Sequence, residues 1–135
     1  MIKKVEHIGL AVKNLEQSKA LFAKILGKAP YKDEQVASEQ VGVSFFETGE
    51  SKIELLEAKS DLSAIQKFIE KRGEGMHHIA FETDDILAEI ERLKKEGFQF
   101  ISETPKKGAD GKLVVFLHPK STGGVLIEFC QDASK

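Results

Sequence analysis

The sequence predicts an α+β protein in which two tandem β-α-β-β-β modules form a curved mixed sheet around a central cup. Two repeated segments support this prediction. His7-Ile8-Gly9-Leu10-Ala11-Val12 returns as His78-Ile79-Ala80-Phe81-Glu82-Thr83, and Ile53-Glu54-Leu55 returns as Ile127-Glu128-Phe129. Self-similarity within one chain indicates that a structural unit has been duplicated. The alternation of apolar residues in these segments is typical of β-strands.

The length of 135 residues is sufficient to bury one hydrophobic core. We therefore predict a single domain over residues 1–135, made of module 1 (1–60), a linker (61–74) and module 2 (75–135). A small sheet that carries one helix leaves one of its faces uncovered. Two such modules are therefore expected to join their sheets, with the helices outside and the cup inside.

Charge and composition narrow the classes of function. The formal net charge is −2 and the chain has no long basic stripe, so a nucleic-acid partner is not expected. No apolar run approaches the roughly 20 residues that cross a bilayer, so we expect no membrane association. Cys130 is the single cysteine. One thiol rules out an internal disulfide and a thiolate zinc site, and it suits the reducing cytoplasm.

Module 1 is predicted to begin with a strand over residues 3–12 that carries His7. Asn14 is expected to cap the following helix and Gly27 to end it. Three strands are predicted between residues 31 and 57: the first ends near 38–40, and the others span 41–48 and 52–57. The sequence Gly49-Glu50-Ser51 indicates the hairpin turn between the last two.

Module 2 follows a polar linker that contains one amphipathic stretch. We predict a strand over 76–83 and then a helix capped by Asp84 or Asp85 and ended by Gly97. Three further strands are predicted over 98–103, 112–117 and 124–130, separated by a loop at 105–111 and a turn at 118–123. Each half therefore has the same order of elements.

Four polar residues are predicted to lie on one side of the sheet. Successive side chains of a strand point to opposite faces, so Glu54 and Glu128 point away from their apolar neighbours. His7 and His78 lie on that same side by the same alternation. Any one of the four is more simply explained as a hydrogen-bonded or solvated side chain. The recurrence of both residue types in both modules favours an N2O2 site for a divalent metal that leaves coordination positions for substrate oxygens.

Six segments, spread over nearly the whole chain, resemble a known family. They are residues 6–12, 52–56, 75–80, 108–112, 116–120 and 123–128. The most specific are the doublet His77-His78 and the run His118-Pro119-Lys120 with the Gly124-Val125-Leu126-Ile127-Glu128 segment after it. On these segments the chain resembles the vicinal oxygen chelate (glyoxalase) superfamily and, within it, the methylmalonyl-CoA epimerases.

The resemblance implies a set of metal ligands, which fall on His7, Glu54, His78 and Glu128. It implies cobalt as the metal, and a site of two nitrogens and two oxygens also accepts manganese, zinc, nickel or iron. Some members have glutamine at the position of Glu54, so the net charge of the site varies within the family. The resemblance further implies a homodimer.

The implied reaction removes a proton from the carbon between a thioester and a carboxylate and returns it on the opposite face. Two bases serve such a reaction most simply. Glu128 can be one of them while it also serves as a metal ligand. The resemblance places the second at Glu39, although the residues alone describe Glu39 only as a strand-end or turn carboxylate. The acyl-CoA substrate carries phosphates, and four lysines are candidates to meet them or to be an ordinary solvated surface. These are Lys106, Lys107, Lys112 and Lys120.

Three other functions are compatible with the same fold. A glyoxalase I-like lactoylglutathione lyase uses a similar His/Glu metal set, and Glu39 and the His118-Pro119-Lys120 run favour the epimerase over it. A metal-free small-molecule-binding protein of this fold generally lacks the four ligands. A ring-cleaving dioxygenase typically needs two histidines and one carboxylate, so a fourth ligand disfavours it.

Overall fold

The structure, a computed structural model, describes residues 1–133. Its described residues form eight β-strands and three α-helices. They are β1 (Ile2–Ala11), α1 (Leu15–Leu26), β2 (Lys32–Val36), β3 (Val41–Thr48), β4 (Ser51–Ala58), α2 (Ala64–Arg72), β5 (Gly75–Thr83), α3 (Ile86–Lys95), β6 (Lys106–Lys107), β7 (Lys112–Leu117) and β8 (Ile127–Asp132). The order β-α-β-β-β occurs twice, as predicted.

The chain divides into two compact units. The first unit is His7–His77, and the second combines Met1–Glu6 with the chain from His78 onward. Each unit has a mixed sheet, because β1 runs parallel to β4 and β5 runs parallel to β8, while the remaining pairs of β2 to β4 and β6 to β8 are antiparallel. The predicted α+β class with tandem β-α-β-β-β modules is therefore confirmed.

Helix α1 covers one face of the first unit's sheet. The Asn14 side chain accepts a hydrogen bond from the Gln17 N–H at 3.0 Å, and Gly27 ends the helix in the left-handed conformation that glycine adopts without steric cost. The buried residue of the helix forms a core with three residues from outside it. The four residues are Val12, Leu15, Phe46 and Leu55. The opposite face of β1 is left to His7, Gly9 and Ala11, all buried.

Helix α3 covers the second unit's sheet in the same way. Asp85, one of the two predicted caps, accepts a hydrogen bond from the Ala88 N–H at 3.0 Å. Three residues of the helix and three of the sheet form its buried core. They are Ile86, Ile90, Leu93, Val115, Leu117 and Phe129. Since Phe129 faces this core, its neighbour Glu128 faces the other side of β8, as alternation predicts.

The predicted linker contains a helix of nine residues, α2, whose N-cap is Ser63. The amphipathic stretch recognised in the sequence corresponds to it, and Ile65 is its buried residue. Within residues 1–133, no helix is long and apolar enough to cross a membrane.

Two predicted strands in module 2 are wrong in their bounds. Residues 98–103 form only an isolated bridge, Phe100 to Leu117, and the Gln99 N–H donates to the Ser121 hydroxyl at 3.0 Å and not to the neighbouring strand. The short strand at Lys106–Lys107 lies inside the predicted loop. The last strand starts at Ile127 and not at Gly124, because Gly123 and Gly124 both adopt positive φ angles and Val125 is exposed.

Candidate metal centre

A buried histidine and a buried glutamate meet in the first unit. In the parallel pair β1 and β4, Gly9 stands opposite Glu54, so His7, two residues earlier, lies on the same face as Glu54. His7 Nδ1 and Glu54 Oε2 are 3.1 Å apart. The two residues are 5% and 4% exposed. The ladder register of β1 and β4 therefore fixes this pair.

The second unit repeats this arrangement. In the parallel pair β5 and β8, Ala80 stands opposite Glu128, and His78 again precedes by two residues. His78 Nε2 and Glu128 Oε1 are 3.2 Å apart, and the residues are 8% and 5% exposed. The duplication detected in the sequence thus extends to the pairing of the strands and to the contact between the side chains.

The donor atoms suit a divalent metal ion. Bonds of about 2.0–2.2 Å from imidazole nitrogen and carboxylate oxygen place neighbouring ligand atoms about 3 Å apart. Both histidine–glutamate contacts have that spacing. Buried carboxylates are ordinarily paired with a cation or coordinate a metal. His7 and Glu54 in the first unit and His78 in the second are all buried, and each offers a nitrogen or oxygen atom that can ligate a metal. Glu128, the fourth predicted ligand, belongs to the pair with His78.

An aromatic ring stands opposite each glutamate, which the sequence analysis missed. Phe45 of β3 pairs with Glu54, and Phe116 of β7 pairs with Glu128. Directly opposed residues have Cβ atoms about 5 Å apart. Phe116 also contacts the His78 ring edge to face, with centroids 6.0 Å apart. Each histidine–glutamate pair therefore has an apolar neighbour. Alternation gives the face of each phenylalanine, but the register of a hairpin is needed to bring it to the glutamate.

Glu39, the predicted second base, lies in a connection and not in a strand. It is the last residue of a single 3₁₀ turn, Ala37–Glu39, that joins β2 to β3. The side chain is half-buried. This agrees with the description of Glu39 as a turn carboxylate, and its catalytic role stays a prediction.

The four candidate lysines occupy different positions in the second unit. Lys106 pairs with Val114, and Lys107 pairs with Leu113, so these two point to opposite faces. Lys112 begins β7, opposite Asp132, and its ammonium lies 3.9 Å from the Glu82 carboxylate. Lys120 is exposed in the turn after β7. Their contact with a substrate stays a prediction.

Three other residues considered in the sequence have structural surroundings. The ring of His77 packs edge to face on Phe68 of α2 at 5.0 Å, and the His118 Nδ1 accepts a hydrogen bond from the Lys120 N–H. Cys130 is buried, and burial, with the nearby Glu128 carboxylate, raises the pKa of its thiol far above the ordinary value. The thiol is therefore protonated at neutral pH and is a poor nucleophile.

Comparison with known proteins gives a consistent set of relatives. Residues 6–116 match the Glyoxalase/Bleomycin resistance protein/Dioxygenase superfamily. The ethylmalonyl-CoA/methylmalonyl-CoA epimerase of Cereibacter sphaeroides is 40% identical over 133 residues, covering 97% of this chain and 99% of the relative. The mitochondrial methylmalonyl-CoA epimerase of Homo sapiens is 40% identical over 129 residues, covering 95% and 73%.

A solved structure gives the same relationship in three dimensions. A variant of Streptomyces coelicolor methylmalonyl-CoA epimerase in complex with 2-nitronate-propionyl-CoA superposes with a TM-score of 0.94 at 30% identity. The match covers 99% of this chain and 97% of that chain.

Proposed function

Because the chain belongs to the Glyoxalase/Bleomycin resistance protein/Dioxygenase superfamily, we propose that it is a metal-dependent epimerase that interconverts the (2R) and (2S) forms of methylmalonyl-CoA. Relatives named as epimerases of this substrate align over nearly all of the chain. The glyoxalase I-like alternative is not favoured by these relatives.

The observation that carries the proposal is the duplicated histidine–glutamate pair. His7 with Glu54 and His78 with Glu128 have matching strand registers and contacts of 3.1 and 3.2 Å. We propose that all four hold one divalent ion, cobalt by family resemblance. When bound, that ion supplies Lewis-acid stabilisation of the negative charge that develops on the substrate's oxygens. The surrounding burial strengthens such an interaction because water is excluded.

Two carboxylates of the chain carry the proton in this proposal. The substrate proton lies on a carbon flanked by a thioester and a carboxylate, and inversion requires removal on one face and return on the other. Glu128 serves one face and Glu39 the other. One carboxylate accepts the proton while the other donates one. Glu128 is held in place by its contact with His78, and Glu39 is presented by the turn after β2.

The remaining parts of the proposal concern binding and assembly. Lys106, Lys107, Lys112 and Lys120 are candidates to meet the phosphates of coenzyme A, to which ammonium groups bind as point charges. We also propose a homodimer in the cytoplasm. The buried free thiol of Cys130 suits a reducing compartment.

A solvent-exchange assay tests the reaction. The protein is stripped of metal, reloaded with cobalt, manganese, zinc or nickel in turn, and incubated with each stereoisomer of methylmalonyl-CoA in deuterated water. We expect metal-dependent epimerisation and deuterium at the central carbon, because the abstracted proton is exchanged or replaced on the way. Absence of solvent label with every metal would exclude the proposed mechanism.

A further inference from the structure

The residue after Glu39 has an unusual backbone conformation. Gln40 has φ 53° and ψ 50°, and within residues 1–133 only Asp110 is another non-glycine residue with positive φ. Such a conformation is uncommon for any residue other than glycine, and it persists only where the surrounding structure determines it. The Gln40 N–H donates to the Ala37 carbonyl at 3.1 Å, which closes the turn.

Two contacts from the residues that follow β4 hold Gln40. The Lys59 N–H donates to the Gln40 carbonyl at 2.7 Å, and the Ser60 hydroxyl donates to Oε1 of the Gln40 side chain. The Leu62 N–H donates to the Ser60 oxygen at 3.1 Å. Because Oε1 of Gln40 is an amide oxygen that can only accept, the Ser60 hydroxyl is the donor in this contact. Both the main chain and the side chain of Gln40 are therefore held.

The end of β4 and the residue after it are themselves anchored. The Lys59 side chain lies over Gly42, where a Cβ atom would stand 2.7 Å from Lys59 Cε. Lys59 Nζ contacts Glu57 Oε1 at 2.6 Å, and Glu57 Oε2 accepts the Leu15 N–H at 2.8 Å. The turn that carries Glu39 is thus fastened, through Gln40, to β4 and to the start of α1.

From these contacts we propose that Gln40 and Ser60 are positioning residues for the Glu39 base. They fix the left-handed residue that follows Glu39, and this sets the direction in which the Glu39 side chain leaves the turn. The proposal rests on the proposed function, in which Glu39 serves one face of the substrate. Small displacements of a catalytic group lower the rate of the chemical step more than they lower binding.

The test uses Ser60→Ala and Gln40→Asn. Asparagine tolerates the left-handed conformation but is one methylene shorter than Gln40. Both variants should lower kcat about tenfold or more and leave KM within about twofold. Deuterium exchange into substrate recovered without inversion should fall mainly for the stereoisomer whose proton Glu39 removes, whereas epimerisation should slow in both directions. Ser60→Thr keeps the hydroxyl and should retain the wild-type kcat. The matched control is Thr48→Val, which removes a side-chain hydrogen bond to the Ser51 carbonyl in the hairpin turn between β3 and β4.

Two outcomes would overturn the proposal: unchanged kcat in both variants, or equal losses of deuterium exchange into the two stereoisomers recovered as unconverted substrate, which a general loss of structure would give. Amide hydrogen exchange at Gln40 provides a readout that does not depend on activity. It should be faster in Ser60→Ala than in the wild type and unchanged in Thr48→Val. If the wild-type protein does not epimerise methylmalonyl-CoA, the proposed function fails, and this exchange rate alone then decides whether Ser60 holds the turn.

Discussion

Glu39 is the residue whose proposed role is most directly tested by substitution. It lies in a turn, apart from the four candidate ligands in sequence and in secondary structure. Glu39→Ala should therefore leave the metal bound and lower turnover by at least about a hundredfold, the usual contribution of a positioned acid or base. Steady-state kinetics and elemental analysis on the same preparation measure both effects.

The matched control is Glu47→Ala, which removes an exposed carboxylate at the other end of β3. This variant should retain wild-type activity. Near-normal turnover in Glu39→Ala would assign the second base to another group and leave the metal site as proposed.

Sequence reasoning reached some of these residues and missed others for a physical reason. Strand alternation alone puts His7 and Glu54 on one face, since it needs only the parity of each residue. The position of Phe45 opposite Glu54 depends on the register of the hairpin formed by β3 and β4. The contact of Ser60 with Gln40 depends on which residues after a strand lie against the turn between two others. Neither of these follows from a local pattern.

At the scale of single elements, the start of α1 depends on a carboxylate from β4. Glu57 accepts hydrogen bonds from the Leu15 N–H and from Lys59. Burial raises the pKa of Glu57, but the hydrogen bonds from Lys59 and the Leu15 N–H outweigh it and hold the pKa below its ordinary value of 4.5. A negative charge at a helix N-terminus is also favourable. Ionised Glu57 therefore stabilises the folded state.

The pH dependence follows from the sign of that shift. A lowered folded-state pKa gives stability that is fully present above the unfolded value and is lost as the pH falls through the folded value. Glu57→Gln should therefore lower the free energy of unfolding by about 1.5 kcal/mol at neutral pH, the low end of the contribution of a hydrogen bond to a charged group. The difference from wild type should shrink below pH 4.5. Denaturant unfolding at several pH values measures it, with Glu47→Gln as the control. A difference that does not change with pH would contradict this account.

The ends of helices could be predicted from the sequence where a capping residue marks them. Asn14 and Gly27 delimit α1, and Asp85 starts α3, because a side-chain acceptor or a left-handed glycine is a local requirement of a helix end. The strand predicted at 98–103 failed because its apolar residues, Phe98 and Phe100, pack against the α3 core from a connection that forms only one bridge. Apolar alternation reports burial, and it indicates a strand only where a ladder partner continues.

At the scale of the whole molecule, the duplication is visible in the sequence, the element order and the strand registers. In each module, the residue two positions after the histidine stands opposite a glutamate on the neighbouring parallel strand: His7 is followed by Gly9 opposite Glu54, and His78 by Ala80 opposite Glu128. The repeat was detectable because it preserved these polar residues together with the apolar strand pattern. The proposal adds one further step, that the two modules hold a single ion between four ligands.

The number of ions per chain tests that step. If the four ligands serve one ion, the wild type should bind about one divalent ion per chain. Either His7→Ala or His78→Ala should weaken metal binding by more than the roughly 10- to 100-fold that changing a residue behind a metal ligand costs. If each histidine–glutamate pair held its own ion, the wild type would bind two ions and each variant one.

Because binding to the folded state alone raises its stability, added cobalt should raise the Tm of the wild type and not of either variant. His77→Ala, whose ring packs on Phe68, is the matched control and should keep the ion. Calorimetric titration of metal-stripped protein, checked by elemental analysis, distinguishes the two cases without reference to activity, and a stoichiometry of two would require that each module be treated as a separate metal site.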